Sequence, residues 1–180
     1  MKGLYIGRFQ PFHKGHYEVI RQVMEMKDLE YLVIAVGSSK KSYTVENPFT
    51  AGERTKMIWL SLKEEWRKKC FIVPVDDANR FGIWVAHVEE LVPEFDTVIG
   101  NNPLNSTLFA DRGYDVLPMK PVYRNMFNGT KIREMMRHIE LWEKGACTPF
   151  EHNNYVPKVV EKYLDEIGGP ERIRGLAKTD

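Results

Sequence analysis

Ten residues near the start of the 180-residue chain concentrate more polar chemistry than any other stretch: Gly7-Arg8-Phe9-Gln10-Pro11-Phe12-His13-Lys14-Gly15-His16. The apolar run Leu4-Tyr5-Ile6 before them reads as a strand, and Val19, Ile20, Val23 and Met24 after them recur at helical spacing. The run is therefore a strand-to-helix turn, and the helix start offers unpaired amides and a partial charge of about +0.5. Arg8, His13, Lys14 and His16 surround that point, so four potential cations define a polyphosphate site. Gly7 ends the strand where only a small residue lets a ligand or neighbouring backbone approach. Pro11 fixes the turn, and Gly15 lets the chain come near a phosphate. Two histidines three residues apart also suit a metal ion. No second cluster of His, Cys or carboxylates has matching spacing, so a zinc site is set aside.

A second helix start lies at Asn128-Gly129-Thr130-Lys131-Ile132-Arg133. Asn128 suits the N-cap, Gly129 and Thr130 leave free amides, and Arg133 projects near the first turn. Thr50 with Glu53 three residues later forms a candidate capping box, which gives Glu53 and Arg54 a structural reading.

These segments need a scaffold, and the alternation of short apolar runs with amphipathic stretches describes one. Strands are expected at 3–7, 31–37, 71–75, 97–100 and 115–118, with helices at 16–26, 51–69, 82–91, 103–112 and 129–139. The order implies an α/β fold, a Rossmann-like doubly wound parallel sheet of five strands, with ligands beyond the carboxyl ends of the strands. After Pro149, one or two C-terminal helices broken at Gly168-Gly169-Pro170 should cap the sheet. One domain over 1–180 is expected, as a core of 1–148 and a cap of 149–180.

His13-Lys14-Gly15-His16 matches the HxGH signature of a nucleotidyltransferase superfamily, and the ten-residue run resembles the archaeal nicotinamide mononucleotide adenylyltransferases. Asn128–Arg133 is similar to the superfamily's second signature, I-S-G-T-x-x-R, with Phe127 and Asn128 in place of its first two residues. The resemblance implies that Gly7, Arg8, Phe9, His13, His16, Asn102, Gly129, Thr130 and Arg133 bind ATP. His16, Arg8, Lys14 and Arg133 would stabilise charge, with His13 orienting a phosphate. It also implies that Gly37, Ser38, Asp77, Phe81 and Trp84 line the acceptor site, with Trp84 stacked on a nicotinamide ring. Phe81 stands where the family commonly has asparagine, and Asn101 replaces a glycine beside Asn102. The Gly169–Lys178 tail also resembles the family's. Magnesium, held mainly by ATP phosphates, is the implied cofactor, and assembly as a homo-oligomer such as a hexamer is implied too.

Adenylyl transfer requires alignment of two anions and no obligatory general base, because a mononucleotide phosphate is already a nucleophile. Three readings stay open on the residues. They are an enzyme making NAD, a related enzyme using nicotinate mononucleotide or phosphopantetheine, and a non-catalytic nucleotide-binding regulator. The net charge of +1 supplies no bulk field for nucleic acid, so an anion site must be local. Cys70 and Cys147 show no paired spacing, and no apolar run approaches the roughly 18 residues of a membrane span. With no signal-peptide pattern at its start, the chain is expected to be cytoplasmic, binding small nucleotides rather than nucleic acid or membrane.

Overall fold

The computed structural model describes residues 1–120, 128–138 and 155–178. Phe127, Cys147, the end of the helix expected to reach 139 and the core–cap boundary at 148–149 lie outside them. Five strands, β1 (Lys2–Gly7), β2 (Tyr31–Val36), β3 (Cys70–Pro74), β4 (Thr97–Ile99) and β5 (Asp115–Leu117), pair in parallel in the order β3-β2-β1-β4-β5. The expected α/β sheet is thus present.

Its helices among the described residues are α1 (Lys14–Met24), α2 (Ala51–Ser61), α3 (Glu64–Arg67), α4 (Phe81–Leu91), α5 (Pro103–Ala110), α6 (Gly129–Arg137), α7 (Lys158–Glu166) and α8 (Gly169–Leu176). Both faces of the sheet are covered, which explains the unbroken apolar run of β2. Tyr5, Leu32, Ile34, Val36 and Ile99 face one core, which they share with Ile20, Met57, Ile132, Leu164 and Ile173 from five helices. Leu4, Val33, Ala35 and Val98 alternate to the other face, beneath Val85 and Val88 of α4 and Phe109 of α5. The C-terminal helices α7 and α8 therefore contribute to the same core as the sheet.

Several helix ends differ from expectation by one or two residues, and two of the differences have a physical cause in the chain. The stretch 51–69 is two helices, because Leu62 takes an extended conformation (ψ 136°) after Ser61. That bend buries Leu62 and lets Trp66 turn inward, while Arg67 Nε donates to the Trp59 carbonyl at 3.1 Å. No glycine or proline marks it. Helix α1 begins at Lys14, two residues early, because His13 serves as its cap.

Candidate active site

Strand β1 delivers Arg8 to His16 to the carboxyl edge of the sheet beside the crevice between β1 and β4, where the strand order reverses. There His13 and His16 form a reciprocal capping box. The His16 amide donates to His13 Nδ1 at 3.4 Å, and the His13 amide donates to His16 Nδ1 at 3.2 Å. With both Nδ1 atoms acting as acceptors, each neutral ring carries its proton on Nε2. The rings stack at 3.5 Å between centroids, and His16 lies edge-on to Phe9 at 4.7 Å. Burial pushes the His13 imidazole down to about 4. Burial, with the neighbouring His13, holds His16 well below its ordinary value. Both rings are neutral donors in the free protein at neutral pH, which corrects the picture of four cations.

The same burial makes stability depend on pH. The unfolded chain protonates His13 near 6.5, whereas the folded chain does so only near 4. Stability from this group is complete above pH 6.5 and is lost as pH falls toward 4. Urea unfolding at pH 7 and pH 4 should show a drop larger by about 3 kcal/mol in the wild type than in His13→Asn, which can still cap the helix. Equal drops would contradict the buried neutral ring.

The second motif docks onto the first. Asn128 caps α6 as expected, its Oδ1 accepting from the Thr130 amide at 2.9 Å, which uses up one of the two amides expected to be free. Arg133 Nη1 donates to the Gln10 carbonyl at 2.9 Å, and Nη2 donates to Thr130 Oγ1 at 3.3 Å. A Cβ on Gly129 would sit 3.0 Å from that same carbonyl, so glycine permits the close approach. Burial, then repulsion from Arg8 and from Arg137, lowers the Arg133 pKa. The three guanidinium groups converge on one region.

Gln10, inside the first motif, and Arg54, read as structural beside the Thr50–Glu53 box, hold this region together. Gln10 exchanges two hydrogen bonds with the Phe49 backbone at 2.8 and 3.0 Å. Arg54 is fully buried, and its guanidinium donates to the carbonyls of Gly37 (2.7 Å), Arg8 (2.8 Å), Ser38 (3.1 Å) and Thr50 (3.2 Å). Desolvation, with the Arg8 charge, lowers its pKa to about 10, so it stays charged at neutral pH. Arg54 thereby pins the ends of β1 and β2 to one another. The Thr50–Glu53 capping box is present, and Arg172 of α8 pairs with Glu53 at 2.7 Å. This contact explains part of the C-terminal tail pattern.

Three hollows lie around this frame. The first, about 350 Å³, sits at the β1–β4 crevice between His13, His16, Gly100, Asn102 and Asn105. Asn101 borders it and exchanges hydrogen bonds with the Met119 backbone at 2.6 and 3.1 Å. The second, about 250 Å³, is walled by Arg8, Val45, Glu46, Thr130, Arg133, Glu134 and Arg137. The third, about 370 Å³, lies among Lys41, Asp77, Arg80, Phe81, Trp84 and Asn105. Ser38 donates to Asp77 Oδ1 at 2.9 Å, so it touches the third hollow through Asp77.

Other expected residues have different places. Lys14 borders none of the three hollows, and its charged neighbours are Lys158 and Glu161 of α7. The Phe9 ring is buried beneath His16, with its backbone at φ 51°. Gly7 is small for that ring rather than for a ligand, because a Cβ there would meet Phe9 at 2.7 Å. Gly37 serves through its carbonyl, held by Arg54.

The model of the cytidylyltransferase-like family matches residues 4–135, which defines the class: a nucleotidyltransferase-type α/β domain. The nicotinamide-nucleotide adenylyltransferase of Thermoplasma acidophilum is 45% identical over 175 residues, spanning 97% of this chain and 91% of that protein. That of Archaeoglobus fulgidus is 42% identical over 185 residues, spanning 100% and 99%. The chain belongs to the nicotinamide-nucleotide adenylyltransferase family.

In fold it is similar to a bifunctional NMN adenylyltransferase/ADP-ribose pyrophosphatase from Francisella tularensis, solved with AMP and a manganese ion. The TM-score is 0.71 at 20% identity, covering 97% of this chain and 51% of that one. The chain thus spans about half the length of that two-function protein.

Proposed function

We propose that the chain transfers AMP from ATP to nicotinamide mononucleotide, giving NAD and pyrophosphate. The observation that carries this reading is that the crevice hollow and the one beneath Trp84 share a lining residue, Asn105. Adenosine in the first hollow, the polyphosphate toward Arg8, Thr130 and Arg133, and the acceptor in the third would bring two phosphates together beside the imidazoles. An acceptor phosphate oxygen then attacks the α-phosphorus as the bond to pyrophosphate breaks, with no proton transfer required. His13 and His16 supply Nε2 donors, and Arg8 and Arg133 supply charge.

Magnesium would arrive on the ATP phosphates. Among the described residues no group of three or more His, Cys, Asp or Glu is placed to hold a metal. Three arginines and two exposed carboxylates, Glu46 and Glu134, line the phosphate hollow; the arginines fit the phosphate oxygens, and those oxygens with water would hold the ion. Among the same residues, no helix is long and apolar enough to cross a membrane. We place the enzyme in the cytoplasm as a homo-oligomer such as a hexamer, which light scattering after gel filtration would test.

A second acceptor, nicotinate mononucleotide, is favoured by one observation: Arg80 and Lys41 both border the third hollow. Pyrophosphate release from ATP and magnesium should be compared with nicotinamide mononucleotide, nicotinate mononucleotide and phosphopantetheine. Turnover with a pyridine mononucleotide is expected. Release with phosphopantetheine alone would replace the acceptor, and none with any would favour a regulator.

Trp84→Ala should raise KM for the pyridine mononucleotide about tenfold or more, as loss of a base–aromatic stack does, while KM for ATP stays unchanged. An unchanged acceptor KM would contradict the stacking role.

A further inference from the structure

We infer that Arg137 is a third polyphosphate-binding cation, one that engages the end of the phosphate chain farthest from the imidazoles. This inference rests on the adenylyltransferase reading of the cleft. Neither signature motif includes Arg137, yet it follows Arg133 by four residues on α6, so the two side chains emerge from the same helix face. Both line the hollow that Arg8 and Thr130 also wall.

Helix α6 starts at Gly129, against the Gln10 carbonyl of the first motif. One turn carries Arg137 about 6 Å farther along the axis than Arg133. That step exceeds the spacing of neighbouring phosphorus atoms in a polyphosphate, so it is long enough to reach a different phosphate from the one beside Arg133. Arg137 thus lies at the distal end of the row of cations.

Its side chain is half-buried, and its Nε is buried without a hydrogen-bond partner. A buried guanidinium donor left unsatisfied is unfavourable unless something else satisfies it. Two carboxylates, Glu46 and Glu134, also border the hollow, but both are exposed and free to turn to solvent. The simpler reading of a cation in a last helical turn is dipole compensation. That role would leave Nε in water, and Arg174 of α8 already serves the end of α6 by donating to the Met136 carbonyl at 3.3 Å.

The consequence is discrimination by phosphate-chain length. Calorimetric titration of AMP and magnesium-ATP into the wild type, Arg137→Met and Arg137→Lys tests it. Arg137→Met should weaken ATP binding about tenfold with AMP affinity unchanged, and Arg137→Lys should recover part of the loss. The KM for the acceptor should stay at its wild-type value. ATP affinity unchanged in Arg137→Met, or an equal loss for AMP and ATP, would overturn the inference. Because binding is read without turnover, a wild type that favours ATP over AMP yet transfers no adenylyl group would count against the reaction and not against Arg137.

Discussion

Replacing His16 by alanine should lower kcat about a hundredfold to a thousandfold, the effect of removing one preorganised donor to a developing oxyanion. The capping box commits His16 Nδ1 to the His13 amide, so the remaining Nε2–H is the donor the ring offers to the crevice. Burial and the adjacent His13 keep the ring neutral in the free protein, so it acts as a dipole already in place rather than as a cation. The profile of kcat/KM should therefore be flat from pH 6.5 to 8 as far as this group is concerned. A first-order fall across that range, lost in His16→Ala, would show that the imidazolium is the working form. His16→Asn, which retains side-chain donors, should recover part of the rate. Circular dichroism and urea unfolding should separate a lost donor from a lost helix start.

Arg54→Met should be the most destabilising single change near the site. The side chain fits an apolar replacement in volume, but the carbonyls of Arg8, Gly37, Ser38 and Thr50 would lose a buried charged donor. An unsatisfied buried carbonyl costs about 1–3 kcal/mol, and water can reach some of the four, so a total of about 4 kcal/mol is expected. For a chain of this size that lowers Tm by about 10 °C. The loss should extend to activity, because Arg8 belongs to the phosphate hollow and Ser38 holds Asp77 of the acceptor hollow. Thermal unfolding of Arg54→Met with a Tm within 2–3 °C of the wild type would refute this account of its role.

What could be read from the sequence was what local spacing encodes. The turn from β1 into α1, the second helix start with its Asn128 cap, and the Thr50–Glu53 box each depend on residues within four positions of one another. The strands were legible to within a residue or two, because the central strands are buried on both faces and the runs are largely apolar. The start of α1 was misread because histidine is not among the usual capping residues, and here only its reciprocity with His16 makes it one.

Longer-range contacts left no such trace. Arg54 reaches Arg8 across 46 positions and Arg133 reaches Gln10 across 123, so their spacing in the chain says nothing of either bond. Gly7 read as a ligand-facing glycine, yet the space it leaves belongs to Phe9. Lys14 lies inside the HxGH signature but turns toward α7, which a pattern of residue types cannot reveal. Arg137 was missed for a simpler reason. Its i, i+4 relation to Arg133 was visible, but its meaning depended on knowing which face of α6 borders the hollow.

The central claim is that one cleft brings the α-phosphorus of ATP to a mononucleotide phosphate. The most direct measurement follows ATP labelled at that phosphorus, incubated with magnesium, nicotinamide mononucleotide and the protein. The account predicts label in a dinucleotide, with one unlabelled pyrophosphate released for each molecule formed. Label recovered only as ATP, ADP or free AMP, with no dinucleotide, would contradict it.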